Sequence, residues 1–201
     1  MKNIAAISAL IFFSTLVFTA HAENTDATTT TFGGYGEMNY NHYSRESSRS
    51  IADLKRFVFS LDHRFSDKLS FNGEVEWEHA VTSATDAGET AIEQAELTYR
   101  LTPNLNAKVG LMLIPMGFLN ESHEPPVYYG VERNEVETRI IPSTWREGGF
   151  SLKGETEIAL TWQAGVSTGF NAAQFDNAGK PLGSMRQTMS KAKASDPSFF
   201  A

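Results

Sequence analysis

Three carboxylates, Glu74, Glu76 and Glu78, occupy alternate positions in one stretch of a 201-residue chain. A spacing of two puts all three on one face of an extended strand, because successive side chains point to opposite sides. Carboxylates grouped in this way could serve as the acid and the nucleophile that cleave a glycosidic bond with retention. That chemistry needs its two carboxyls about 5–5.5 Å apart. Positions four apart on a regular strand are roughly 13 Å apart, so Glu74 and Glu78 would need a bulge or converging side chains. The same stripe has a simpler use as a polar wall against water.

Other chemistries find little support. His42, His63 and His123 are scattered without metal-ligand spacing, and His79 falls on the apolar side of the carboxylate strand. The chain has no cysteine, which removes thiol catalysis, thiolate metal sites and disulfides. It also lacks a G-x-S-x-G elbow and a phosphate-binding glycine loop. The expectation is a non-enzyme with no catalytic residue, metal or cofactor. A net charge of −7 argues against a nucleic-acid partner.

The element that carries the carboxylates is residues 69–82, with Leu69, Phe71, Val75, Trp77 and Val81 on the face opposite the glutamates. About fourteen residues is long for a soluble strand and suits a tilted strand crossing a membrane. Similar alternation recurs at residues 32–40, 51–65, 91–101, 105–113, 146–154 and 156–166, which makes about seven strands. A helical membrane bundle is excluded, because only 41% of residues are hydrophobic and mean hydropathy is −0.29. Turns at 66–68, 102–104 and 154–155 are short, and the connections between them are long. Short turns at one end and long loops at the other are the asymmetry of an antiparallel transmembrane β-barrel. One face then meets outer-membrane lipid. The other lines a water-filled pore with Glu37, Arg56, Asp62, Glu74, Glu76, Glu78, Glu96, Arg100, Lys108, Lys153 and Glu157.

The first 22 residues have the form of a cleaved signal peptide: Lys2, an apolar run over residues 4–18, and Ala20-His21-Ala22. Export to the outer membrane of a Gram-negative bacterium is expected, with residues 23–201 forming barrel. Seven strands is an odd number and residues 195–201 show no alternation, so the expected object is the N-terminal part of a larger barrel.

The longest connection, residues 115–145, holds Pro125-Pro126 and the aromatics Phe118, Tyr128, Tyr129 and Trp145. Its charges, with those just beyond it, are Glu121, Glu124, Glu132, Arg133, Glu135, Glu137, Arg139, Arg146 and Glu147. Its composition suggests packing, and such a loop could fold into the lumen as a constriction. Pro115-Met116-Gly117-Phe118-Leu119-Asn120-Glu121, Gly130-Val131-Glu132-Arg133 and Ile140-Ile141-Pro142-Ser143-Thr144-Trp145-Arg146-Glu147 resemble the phosphate-selective porins of the O and P type. The resemblance covers roughly residues 32–169. It implies a barrel of about sixteen strands, usually a homotrimer, that passes ions and small hydrophilic solutes by passive diffusion. The family's phosphate selectors are basic residues. Here acids outnumber bases in the loop and on the pore face, so cation preference is expected. Glu74-Val75-Glu76-Trp77-Glu78 is also similar to the acidic strand of jelly-roll glycosidases, which have Asp in the middle. That likeness implies a secreted polysaccharide hydrolase using Glu74 and Glu78.

Overall fold

A computed structural model describes residues 28–79, 88–175 and 181–201. The expected signal peptide and residues 80–82 of the expected third strand lie outside these. The described residues form β1 (Thr29–Asn41), β2 (Ile51–Arg64), β3 (Leu69–Glu78), β4 (Glu89–Thr102), β5 (Leu105–Leu113), β6 (Arg146–Glu155), β7 (Thr161–Thr168) and β8 (Pro197–Phe200). All eight join one antiparallel sheet in sequence order, open at β1 and β8. Connections alternate as the sequence implies: short ones follow β2, β4 and β6, and longer ones follow β1, β3, β5 and β7.

The cross-strand registers explain why the sheet holds together and what it separates. One row runs Thr30, His63, Phe71, Leu97, Val109, Phe150, Val166 and Phe199 across all eight strands. Its neighbour, one residue along, runs Thr31, Asp62, Asn72, Glu96, Gly110, Gly149, Ser167 and Ser198. A pleated sheet sends these two rows to opposite faces, so one face is greasy and the other polar or small. Burial runs opposite to that of a water-soluble domain. Phe57, Ile92, Val109 and Phe150 are exposed on the greasy face, whereas Glu37, Arg56, Glu76, Glu93 and Glu96 are buried on the polar one. Aromatic pairs brace the greasy side, with ring centroids 5.8 Å apart for both Phe32–Phe59 and Phe57–Trp77.

Three expectations are corrected. The described residues hold eight strands, because residues 197–200 pair with β7 and Phe199 extends the apolar row. Four residues are too few for alternation to be visible in sequence. The turn expected at 154–155 lies at 156–160, where the Thr156 and Leu160 backbones bond at 2.9 Å and Leu160 N donates to Thr156 Oγ1 at 3.1 Å. Ala159 takes a positive φ of 59° there. Glu157, Ile158 and Leu160 therefore leave the sheet, and Glu157, expected on the pore face, is an exposed turn residue. β3 ends at Glu78. His79 does not continue its apolar face. It has φ 47° and sets its ring 2.9 Å from Asp53.

Candidate functional site

The polar face is built by β1 to β6, and residues 115–145 lie folded against it. The neck of this loop is closed by Asn120, which is 1% exposed. Its amide donates to the Ile114 and Trp145 carbonyls at 2.7 and 2.8 Å, and its carbonyl accepts from Trp145 N at 2.7 Å. Ile114 N adds a bond of 2.9 Å to Trp145 O. Further along, buried Glu137 accepts from Phe118 N at 2.6 Å and Leu119 N at 2.8 Å. It satisfies two backbone donors that no strand or helix reaches. Tyr128 donates to His123 O at 2.6 Å, and Arg133 bonds the Leu119 and His123 carbonyls at 3.3 and 3.4 Å.

Beneath the loop is a network of paired charges. Arg56 on β2 is 2.8 Å from both Glu37 on β1 and Glu76 on β3, and 3.6 Å from Glu78. Lys55 is 3.5 Å from Glu37 and reaches up 2.7 Å to Glu132 of the loop. On the next strands Lys108 holds Glu96 at 2.5 Å, and Arg146 holds Glu93 at 2.8 Å. Charges at this depth persist only when paired, because each would otherwise lose its hydration uncompensated.

His123 enters from the loop and is 3% exposed. Its Nε2 lies 2.9 Å from Glu93 Oε2, 3.2 Å from Glu74 Oε1 and 3.8 Å from Glu124 Oε1. Burial alone would lower its pKa. The hydrogen bonds to Glu74 and Glu93 outweigh burial and push it up to about 9. Burial raises the Glu124 carboxyl, opposed by its hydrogen bond with the Tyr35 hydroxyl.

Two bulges set this chemistry. In β2, Met38 pairs with Leu54 while Glu37 pairs with Arg56, so Lys55 is an extra residue. In β4, Val75 pairs with Ile92 while Glu74 pairs with Gln94, so Glu93 is an extra residue. An extra residue leaves the alternation and can be re-aimed. Each bulge thus adds a charged side chain to the polar face.

The expected pore-lining residues divide into three groups. Glu37, Arg56, Glu74, Glu76, Glu78, Glu96 and Lys108 join the network just described, while Glu74 and Glu78 turn to different partners, His123 and Arg56. Lys153 is 3.4 Å from Glu121 of the loop. Asp62, which accepts from the Asn72 amide, and Arg100 are exposed. Of the loop residues, Glu124 and Glu132 reach the sheet, Arg133 braces the loop and Glu137 anchors its backbone. Glu135, the N-cap of the π-helix Val136–Ile140, pairs with Arg139 within it, and both side chains are exposed and away from the charge network. Arg146 is the first residue of β6 and belongs to the sheet. Buried Glu147 ties in the later segment, accepting from Thr168 Oγ1 at 2.6 Å and Gln187 N at 2.9 Å.

Lys55, Glu93, His123 and Asn120 were not expected here. Strict alternation would put Lys55 beside Phe57 and Glu93 beside Ala95 on the apolar face. A lone charge there is the sequence sign of a bulge. His123 leaves no such sign, because its partners are 49 and 30 positions away along the chain.

No family model matches this chain, and no solved structure matches it. The chain is 37% identical over 169 residues, 83% of its length, to an Aquifex aeolicus protein described as uncharacterized, and it spans 38% of that protein's length.

Proposed function

We propose that the chain supplies part of the wall and the constriction loop of an outer-membrane β-barrel, a channel for passive diffusion of ions and small hydrophilic solutes. The observation that carries this reading is the inverted burial. An eight-stranded sheet exposes Phe57, Ile92, Val109 and Phe150 on one side and keeps a paired charge network on the other. In water that outer face would be a large adhesive patch, whereas in lipid it is the surface required. The open edges at β1 and β8 call for further strands, since unpaired backbone is not tolerated in hydrocarbon. The position of residues 115–145 over the polar face supports their role in narrowing the lumen. Porin-like trimerisation and Gram-negative envelope targeting belong to the same reading.

Selectivity follows from the unpaired surplus. Arg56, Lys108 and Arg146 are each held by carboxylates, and Arg56 already serves Glu37, Glu76 and Glu78. The net negative wall should favour cations. The test is to express the full reading frame and examine detergent-extracted outer membranes for a heat-modifiable protein. That protein should give stable conductance in planar bilayers, with a reversal potential favouring potassium in a KCl gradient. Recovery in the soluble fraction would defeat the channel reading.

A further inference from the structure

We propose that Glu74, Glu93 and His123 bind a divalent transition-metal ion of the zinc type, which latches the 115–145 loop to the sheet. Glu74 and Glu93 come from adjacent strands and His123 from the loop, and one ligand atom of each lies within 4.8 Å of the others. A tetrahedral zinc with bonds of about 2.0–2.1 Å sets its ligand atoms roughly 3.3–3.4 Å apart. The Nε2 separations of 2.9 Å to Glu93 and 3.2 Å to Glu74 are within a few tenths of an ångström of that spacing.

The second observation is one nitrogen facing two carboxylates. One proton on Nε2 can be donated well to one acceptor, yet Nε2 lies 2.9 Å from Glu93 Oε2 and 3.2 Å from Glu74 Oε1. Glu93 is 3% exposed, and its Oε2 shares that nitrogen with Glu74. A metal ion in place of that proton takes lone pairs from all three groups at once. Glu124 Oε1 lies farther off, 3.8 Å from Nε2. Arg146 Nη1 holds the other oxygen of Glu93 at 2.8 Å, the outer-sphere support that orients a ligating carboxylate. One imidazole with carboxylates suits zinc, whereas magnesium and calcium take oxygen ligands. The inference stands on the loop-to-sheet geometry and is independent of whether the sheet faces lipid.

The experiment uses the full chain, purified in detergent and stripped with chelator, titrated with zinc chloride in a calorimeter. One site is expected, with no comparable heat from magnesium chloride. Glu74→Gln and His123→Gln should each weaken zinc binding by tenfold or more, and Arg146→Gln by about 10–100-fold. Glu121→Gln should leave binding unchanged. Zinc should slow proteolysis within residues 115–145 of the native chain and not of His123→Gln. Cobalt(II) provides a readout that needs no variant: the intense visible bands of a four- or five-coordinate ion are expected with the native chain. The idea is overturned by absence of zinc binding, by affinity that survives both Glu74→Gln and His123→Gln, by equal binding of magnesium, or by a weak octahedral cobalt spectrum.

Discussion

Val109→Arg should be among the costliest single changes on the outer face, and the structure sets how costly. Val109 is the middle residue of nine-residue β5 and lies in the apolar row that crosses all eight strands. Four residues on either side, at about 3.4 Å rise and a tilt near 40°, place it about 10 Å from each strand end along the membrane normal. The apolar band of transmembrane barrels is about 25 Å tall, so the proposed membrane reading sets Val109 near its midplane. An arginine there costs about 2–4 kcal/mol, roughly a 30- to 1,000-fold loss in the folding equilibrium. Leu101 is the second-last residue of β4, beside the short turn, and its side chain is exposed. Leu101→Arg should cost only about 0–1 kcal/mol. Urea titration of the full reading frame folded into lipid vesicles, followed by heat-modifiable mobility, measures both. If the outer face met water, both changes would fall within about 0.5 kcal/mol of native. Val109→Arg within that margin of Leu101→Arg would refute the membrane assignment and its depth scale together.

Asn120→Ala strips three hydrogen bonds from the loop neck and strands buried backbone groups, so it should loosen residues 115–145 by about 1–3 kcal/mol. Faster proteolysis within that loop, with the sheet intact by circular dichroism, is the expected result. Glu137→Ala removes the acceptor for Phe118 N and Leu119 N and should give larger or noisier single-channel conductance, whereas Arg139→Ala on the exposed π-helix should not. Glu76→Gln should reduce potassium preference in reversal-potential measurements without unfolding the wall, since Arg56 retains Glu37. A shift toward stronger cation preference would contradict the negative-wall account. The 201-residue chain alone should give no stable conductance steps, because β1 and β8 leave open edges.

The sequence by itself determined which side chains share a face. A period of two allows only two faces, and Glu74, Glu76 and Glu78 against Val75 and Trp77 show which is polar. It also determined the alternation of short and long connections and the limits of β5, where Leu105, Ala107, Val109, Leu111 and Leu113 keep strict step. Tertiary structure decided what alternation cannot express. The bulges that turn Lys55 and Glu93 inward become definite only when a neighbouring strand sets the register. Closure of the turn by Thr156 and Leu160 overrode an apolar pattern that would have carried Glu157 into the wall. Strand β8 exists because β7 offers an unpaired edge and Phe199 completes a row, which four residues cannot announce alone. His123 meets Glu74 and Glu93 only because Asn120 and Glu137 fold the loop back over the sheet, joining positions that no local spacing connects.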